Sequence, residues 1–128
     1  MKSNVKYTFH HFGIPLQDGV FEGAYSEKAG MYTVDNPGQF RVQWHRFKDS
    51  SPLHNLIKTV PHVAFKVDNL LRAIEDEEVI LGPYEPIDGF FVAMINDNGA
   101  PIELIETTLS DDEIWERARS GQGDLYRK

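Results

Sequence analysis

A chain of 128 residues with 41% apolar and 12% aromatic side chains is long enough to bury one sizeable core and is not composed like a disordered protein. It has no cysteine, which removes disulfide frameworks, thiolate metal sites and cysteine nucleophiles from consideration. Thirteen basic against twenty acidic residues give a net charge of −7, with no basic run beyond Arg127-Lys128, so a phosphate backbone is repelled and nucleic acid is set aside as a partner. The opening residues MKSNVKYTFH lack a signal-type apolar run, and no stretch of ~18 apolar residues occurs, so the expectation is a soluble, cytoplasmic protein with no membrane partner.

In chain order, the run Thr8 to Leu16 (TFHHFGIPL) has strand length and is bounded by polar residues. The following GVFEGAYSEKAG is too short and too rich in glycine for a full helix. Asn36-Pro37-Gly38 is a turn signal, and Phe40 to His45 reads as the strand after it. A further strand covers Pro61 to Val67 (PHVAFKV). A helix is expected from Asp68 or Asn69 to about Glu77, with an Asp-Asn cap and an apolar stripe of Leu70, Leu71 and Ile74. Strands follow at about Val79–Leu81, Phe90–Ile95 and Pro101–Glu106, separated by Gly82-Pro83, Asp88-Gly89 and Asp97-Asn98-Gly99. Ser110-Asp111-Asp112-Glu113 is a capping box that opens a helix over about residues 111–119, ended by Gly121. Ile114 and Trp115 of that helix would dock on the domain or on a second subunit.

The two halves align. Thr8 to Leu16 lies over Thr59 to Val67 with a shared pattern of threonine, apolar, variable, histidine, apolar, small, apolar, variable, apolar. Asn36 to His45 lies over Asn96 to Ile105, a turn and then a strand, and places Gln43 over Glu103. The second half reads βαβββ and the first is an abbreviated copy: module one about 5–50, module two about 58–108. The expected fold is a single α+β domain in which these modules form a curved open sheet around a cavity, followed by the C-terminal helix.

Alternate residues of a strand share a face. His62, Ala64 and Lys66 therefore point one way, and Val63, Phe65 and Val67 the other, while Ile102 and Leu104 oppose Glu103 and Ile105. A helix over the Val63/Phe65/Leu104 face leaves His62 and Glu103 together on the uncovered face. His11 with Gly13, and Gln43 with Arg41 and His45, take the equivalent places in module one. Two imidazoles and a carboxylate with open positions suit a divalent ion that also holds a substrate, and Gln43 would add a weaker oxygen. Neutral imidazoles, one carboxylate and a divalent ion sum to about +1, enough to polarise a carbonyl or stabilise an enolate.

PHVAFKVDNL, ILGPYEP and NDNGAPIELIE resemble the second module of the vicinal oxygen chelate superfamily, which includes glyoxalase I, methylmalonyl-CoA epimerase, extradiol dioxygenases, fosfomycin-resistance enzymes and bleomycin-binding proteins. The resemblance is specific over Thr59 to Thr107 and weaker over Tyr7 to Phe47. It implies paired βαβββ modules around a metal-centred pocket, with the ligands at His11, Gln43, His62 and Glu103, and zinc, nickel, cobalt, manganese or iron as the ion. Glyoxalase-type members usually carry a glutamate at the place of Gln43. An amide cannot act as a base, which argues against a lactoylglutathione lyase reaction. A glutamine there is similar to the epimerase pattern, and His11, His62 and Glu103 alone resemble the facial triad of the dioxygenases.

The reading is then a metal-dependent lyase or isomerase that works on a small oxygenated metabolite through an enolate. The rivals are an extradiol-type dioxygenase and a metal-free binding protein. Glu103 and His45 are the candidate catalytic residues, although His45 reads equally as a strand residue alternating with Trp44. Gln43 reads equally as a ligand or a cavity liner. Arg41, Lys66 and Trp44 are candidate substrate contacts at the rim, with solvated surface as the alternative for the two basic residues. His10 is expected to face away from His11, His54 to sit on a loop, Phe40, Trp44, Phe90 and Phe91 to fill the core, and a homodimer is expected because the short first module leaves its sheet less covered.

Overall fold

The computed structural model describes residues 1–17, 23–35 and 40–120. Its elements in chain order are β1 (Tyr7–Leu16), β2 (Ala24–Ser26), β3 (Met31–Asp35), β4 (Val42–Phe47), α1 (Asn55–Thr59), β5 (His62–Val67), α2 (Leu70–Ala73), β6 (Val79–Ile87), β7 (Phe90–Asp97), β8 (Ala100–Thr107) and α3 (Asp111–Arg119). The eight strands form one mixed sheet in the order β2-β3-β4-β1-β5-β8-β7-β6. The fold is α+β, and the sheet curls into an open half-barrel around a cavity.

The sheet order displays the duplication. β1 pairs parallel with β4, and β5 pairs parallel with β8. β2-β3-β4 and β6-β7-β8 are antiparallel runs on the two flanks. The halves meet where β1 and β5 run antiparallel. Around that seam the two half-sheets are related by an approximate twofold.

The sheet has two differently covered faces, as period-two alternation requires. On the outer face α2 lays Leu70 and Ala73 on Val67, Ala93, Ile95 and Leu104, with Phe65 and Ile102 packed alongside. On the concave face Ala64, Val92, Phe90 and Ile105 pack with Ile87 and with Ile114 of α3. α3 is fixed at its start by the expected capping box: Ser110 N–H donates to Glu113 Oε1 (3.1 Å) and Glu113 N–H to Ser110 Oγ (3.2 Å). Ile114 is buried on the chain's own concave face, so the helix docks at home.

Several elements depart from the sequence expectation. α2 stops at Ala73, not Glu77, because Asp76 takes a left-handed φ of 64° and the chain closes instead in turns from Glu75 N–H to Arg72 O and Glu77 N–H to Ile74 O. β6 runs through Gly82-Pro83 to Ile87, absorbing them where its register on β7 shifts. His54 lies on a loop and is exposed, as expected, at the point where that loop enters α1. Its Nδ1 accepts from Leu56 N–H (3.1 Å) and caps α1, a helix that the apolar pattern did not announce. Phe90 is buried as expected, but Phe40 and Phe91 are 68% and 44% exposed and do not fill the core. The turn at residues 36–39, part of the glycine-rich segment and Gly121 lie outside the described residues. Among the described residues no helix is long and apolar enough to cross a membrane.

Candidate metal centre

The β1–β5 register sets the site. His11 lies opposite Ala64, and His62 lies opposite Gly13, so each imidazole faces a residue with little or no side chain on the neighbouring strand. The parallel partners then add Gln43 beside Gly13 and Glu103 beside Ala64. The His62 ring fills the space above Gly13: a Cβ built there would stand 2.6 Å from His62 Nδ1 and closer still to Cε1 and Nε2. A side chain at position 13 would evict the imidazole.

His11, His62 and Glu103 come together with one potential ligand atom each, all within 4.8 Å of one another. Glu103 stands between the two rings, with Oε1 3.3 Å from His62 Nε2 and Oε2 4.0 Å from His11 Nε2. Two atoms ligating one ion at ~2.1 Å are at most ~4.2 Å apart, so these spacings need only small closure around a cation. Both Nε2 atoms are buried and without a hydrogen-bond partner. Leaving such an atom unsatisfied costs about 1–3 kcal/mol, which a metal ion or water would offset. The donor set therefore fits a divalent metal.

Protonation favours the same use. Burial is the largest influence on His11 and lowers its pKa to about 4, against the opposing pull of Glu103. Burial alone would raise Glu103, but His62, His11 and His45 outweigh it and hold the carboxylate at about 2. At neutral pH His11 is a free base and Glu103 an anion, the forms that bind metal.

The rest of the concave face is a cavity of about 800 Å³ including its open mouth. Gln43, His45 and Phe47 project into it from β4, Tyr84 and Leu81 from β6, Ile57 from α1, and Ile114 and Trp115 from α3. His45 is buried, its ring lies 5.5 Å from that of His62 at 25°, and its Nδ1 is 2.9 Å from Thr33 Oγ1. Its Nε2 is buried and unpartnered. Burial lowers its pKa to about 3.

His10 requires a correction. It does not face away from His11, because a β-bulge falls between Phe9 and His11, where β1 spends two residues against one on β5. The extra residue turns His10 to the concave side, buried, with Nδ1 2.7 Å from His11 Nδ1 and Nε2 2.9 Å from Asp111 Oδ1. Burial lowers its pKa despite the opposing effect of Asp111.

The proposed rim contacts do not line the cavity. Arg41 precedes β4 and is engaged by the His10 carbonyl and Asp111 Oδ2, to which its guanidinium donates. Trp44 alternates with Gln43 and His45 and so lies on the opposite face. Lys66 is four residues along β5 from His62, between Thr8 and Ile105, beyond the end of the cavity. The tryptophan at the site is Trp115.

No family model, no curated protein and no solved structure matches this chain.

Two outcomes test the site. Gly13→Ala should displace His62, lowering the thermal midpoint and cutting divalent-metal binding in a titration, while Ala64→Gly, which opens space, should retain the metal. The second outcome concerns pH, in protein treated with chelator. The unfolded chain takes protons on His11 and His45 near 6.5, whereas the folded chain refuses them until about 4 and about 3. The unfolded state thus binds more protons in that window, so stability is present above it and is lost as pH falls through it. Glu103, ordinarily near 4.5 and held at about 2, adds a further loss below 4.5. Thermal midpoints measured from about pH 8 to about pH 4 should be level at first and then fall, less steeply in His45→Gln; a midpoint that rises on acidification contradicts the assignment.

Proposed function

We propose that the protein is a metal-dependent enzyme of the vicinal oxygen chelate kind, acting on a small oxygenated metabolite by proton transfer. The observation that carries this reading is the convergence of two buried imidazole nitrogens on one carboxylate at the floor of a largely apolar cavity. His11, His62 and Glu103 would hold the ion, with Gln43 as an auxiliary oxygen. Such an ion supplies Lewis acidity, which acidifies a C–H next to a bound carbonyl. His45 would take or return the proton at Nε2, with its ring oriented through Nδ1 by Thr33. Its low basicity, a consequence of burial, makes it a base only for a strongly acidified carbon.

The cavity lining also supports a substrate class. It contains Glu103 and several histidines but, among the described residues, no lysine or arginine. Away from the ion a carboxylate or phosphate on the substrate would find no countercharge, so the favoured substrate offers two adjacent oxygens to the ion and has an uncharged, apolar remainder. Bringing two imidazoles and one carboxylate to one side of an ion also favours a second reading, iron-dependent ring-cleaving oxygenation of a catechol. In either case the chain is expected to work in the cytoplasm, and a homodimer would cover Phe12 and Leu16, which are exposed on module one.

Metal content measured on protein purified without a polyhistidine tag, followed by titration of the stripped protein, separates these readings. The proposal expects one divalent ion per chain, lost in His62→Ala and in Glu103→Ala with the fold retained. Deuterium exchange from solvent into an α-oxygenated ketone supports proton transfer, and oxygen uptake on catechols with iron replaces it with the dioxygenase. Failure to take up any of zinc, nickel, cobalt, manganese or iron contradicts both enzymes and leaves a metal-free binding protein.

A further inference from the structure

His11 ends a chain of polar contacts that starts on the C-terminal helix. The guanidinium of Arg41 donates to Asp111 Oδ2, Asp111 Oδ1 is 2.9 Å from His10 Nε2, and His10 Nδ1 is 2.7 Å from His11 Nδ1. A carboxylate only accepts, so His10 Nε2 must be the protonated nitrogen. A neutral His10 then offers a bare Nδ1, and the short contact to His11 requires the proton to sit on His11 Nδ1. His11 consequently keeps Nε2 bare, and Nε2 is the atom 4.0 Å from Glu103.

We propose that Asp111 and His10 are positioning residues that lock His11 in its Nδ1–H tautomer, so that docking of the C-terminal helix sets the lone pair with which β1 binds metal. This rests on the metal centre proposed above and adds to it a dependence on a helix outside both modules. Arg41 is part of the device. By holding Oδ2 it determines which atom of residue 111 faces His10. A carboxylate–histidine–ligand chain of this type fixes ring orientation and raises ligand basicity, and its loss typically weakens metal binding by about 10–100-fold.

The isosteric change Asp111→Asn tests the proton directions. Arg41 would retain the amide oxygen, which turns the amide N–H groups toward His10. His10 Nε2 must then accept, its proton moves to Nδ1, and His11 is driven to the Nε2–H form with its ligand atom blocked. Asp111→Ala removes the bias without reversing it. Residue 111 is half exposed and the helix start is capped by Ser110, so both variants should fold, as their thermal midpoints will show. Zinc affinity, read by competition with a chromophoric chelator, should fall about 10–100-fold in Asp111→Asn and distinctly less in Asp111→Ala. Long-range 15N–1H spectra of the metal-free protein should show His11 protonated at Nδ1 in the wild type and at Nε2 in Asp111→Asn. Equal losses in the two variants, unchanged affinity in both, or a wild-type His11 protonated at Nε2 would each overturn the positioning role. A wild-type protein that binds no zinc but shows the Nδ1–H tautomer would instead overturn the metal reading and leave the proton chain intact.

Discussion

At the seam where β1 and β5 run antiparallel, each imidazole needs an absent side chain across from it. His62 occupies the volume that a Cβ on Gly13 would take, and His11 lies opposite the fully buried Ala64. This steric allowance lets two rings enter one narrow groove from adjacent strands. Because β4 and β8 each add in parallel beside that seam, the same register delivers Gln43 and Glu103 to the two ends of the ring pair. The four positions are a consequence of a doubled unit folding about its own approximate twofold.

The arrangement is costly to the fold. Four histidines on the concave side are buried, and three Nε2 atoms there have no hydrogen-bond partner. Burial keeps His11 and His45 neutral at ordinary pH, which forgoes the hydration of the charged form and exposes the fold to acid. Such expense is characteristic of functional sites, where local free energy is given up for reactivity. A ligand bound only by the folded state returns stability by mass action. The largely apolar upper cavity built from α1, β6 and α3 then strengthens whatever electrostatic interaction occurs at its floor.

The fold and the three central residues were legible because both follow from period-two alternation and internal repetition. TFHHFGIPL and TVPHVAFKV carry the same histidine and the same small residue, and alternation then places Glu103 with His62 away from the face α2 covers. Alternation misplaces His10 because a bulge breaks it at that residue, and no sequence feature between Phe9 and His11 marks the bulge. Counting back from His45 puts Arg41 on the same face, but the strand begins only at Val42. Trp115 and Asp111 belong to a helix whose start was readable from its capping box, but where that helix docks depends on tertiary packing, which the local pattern does not encode. Trp115, not Trp44, is the tryptophan at the cavity for the same reason.

X-ray absorption at the metal edge of protein loaded with one equivalent of zinc addresses the central assignment most directly. The account predicts two imidazole nitrogens at about 2.0–2.1 Å and carboxylate oxygen at about 2.0–2.2 Å, with the imidazole scattering reduced by one ring in His11→Ala. A shell made of oxygen alone, or one unchanged by removing His11, would contradict it.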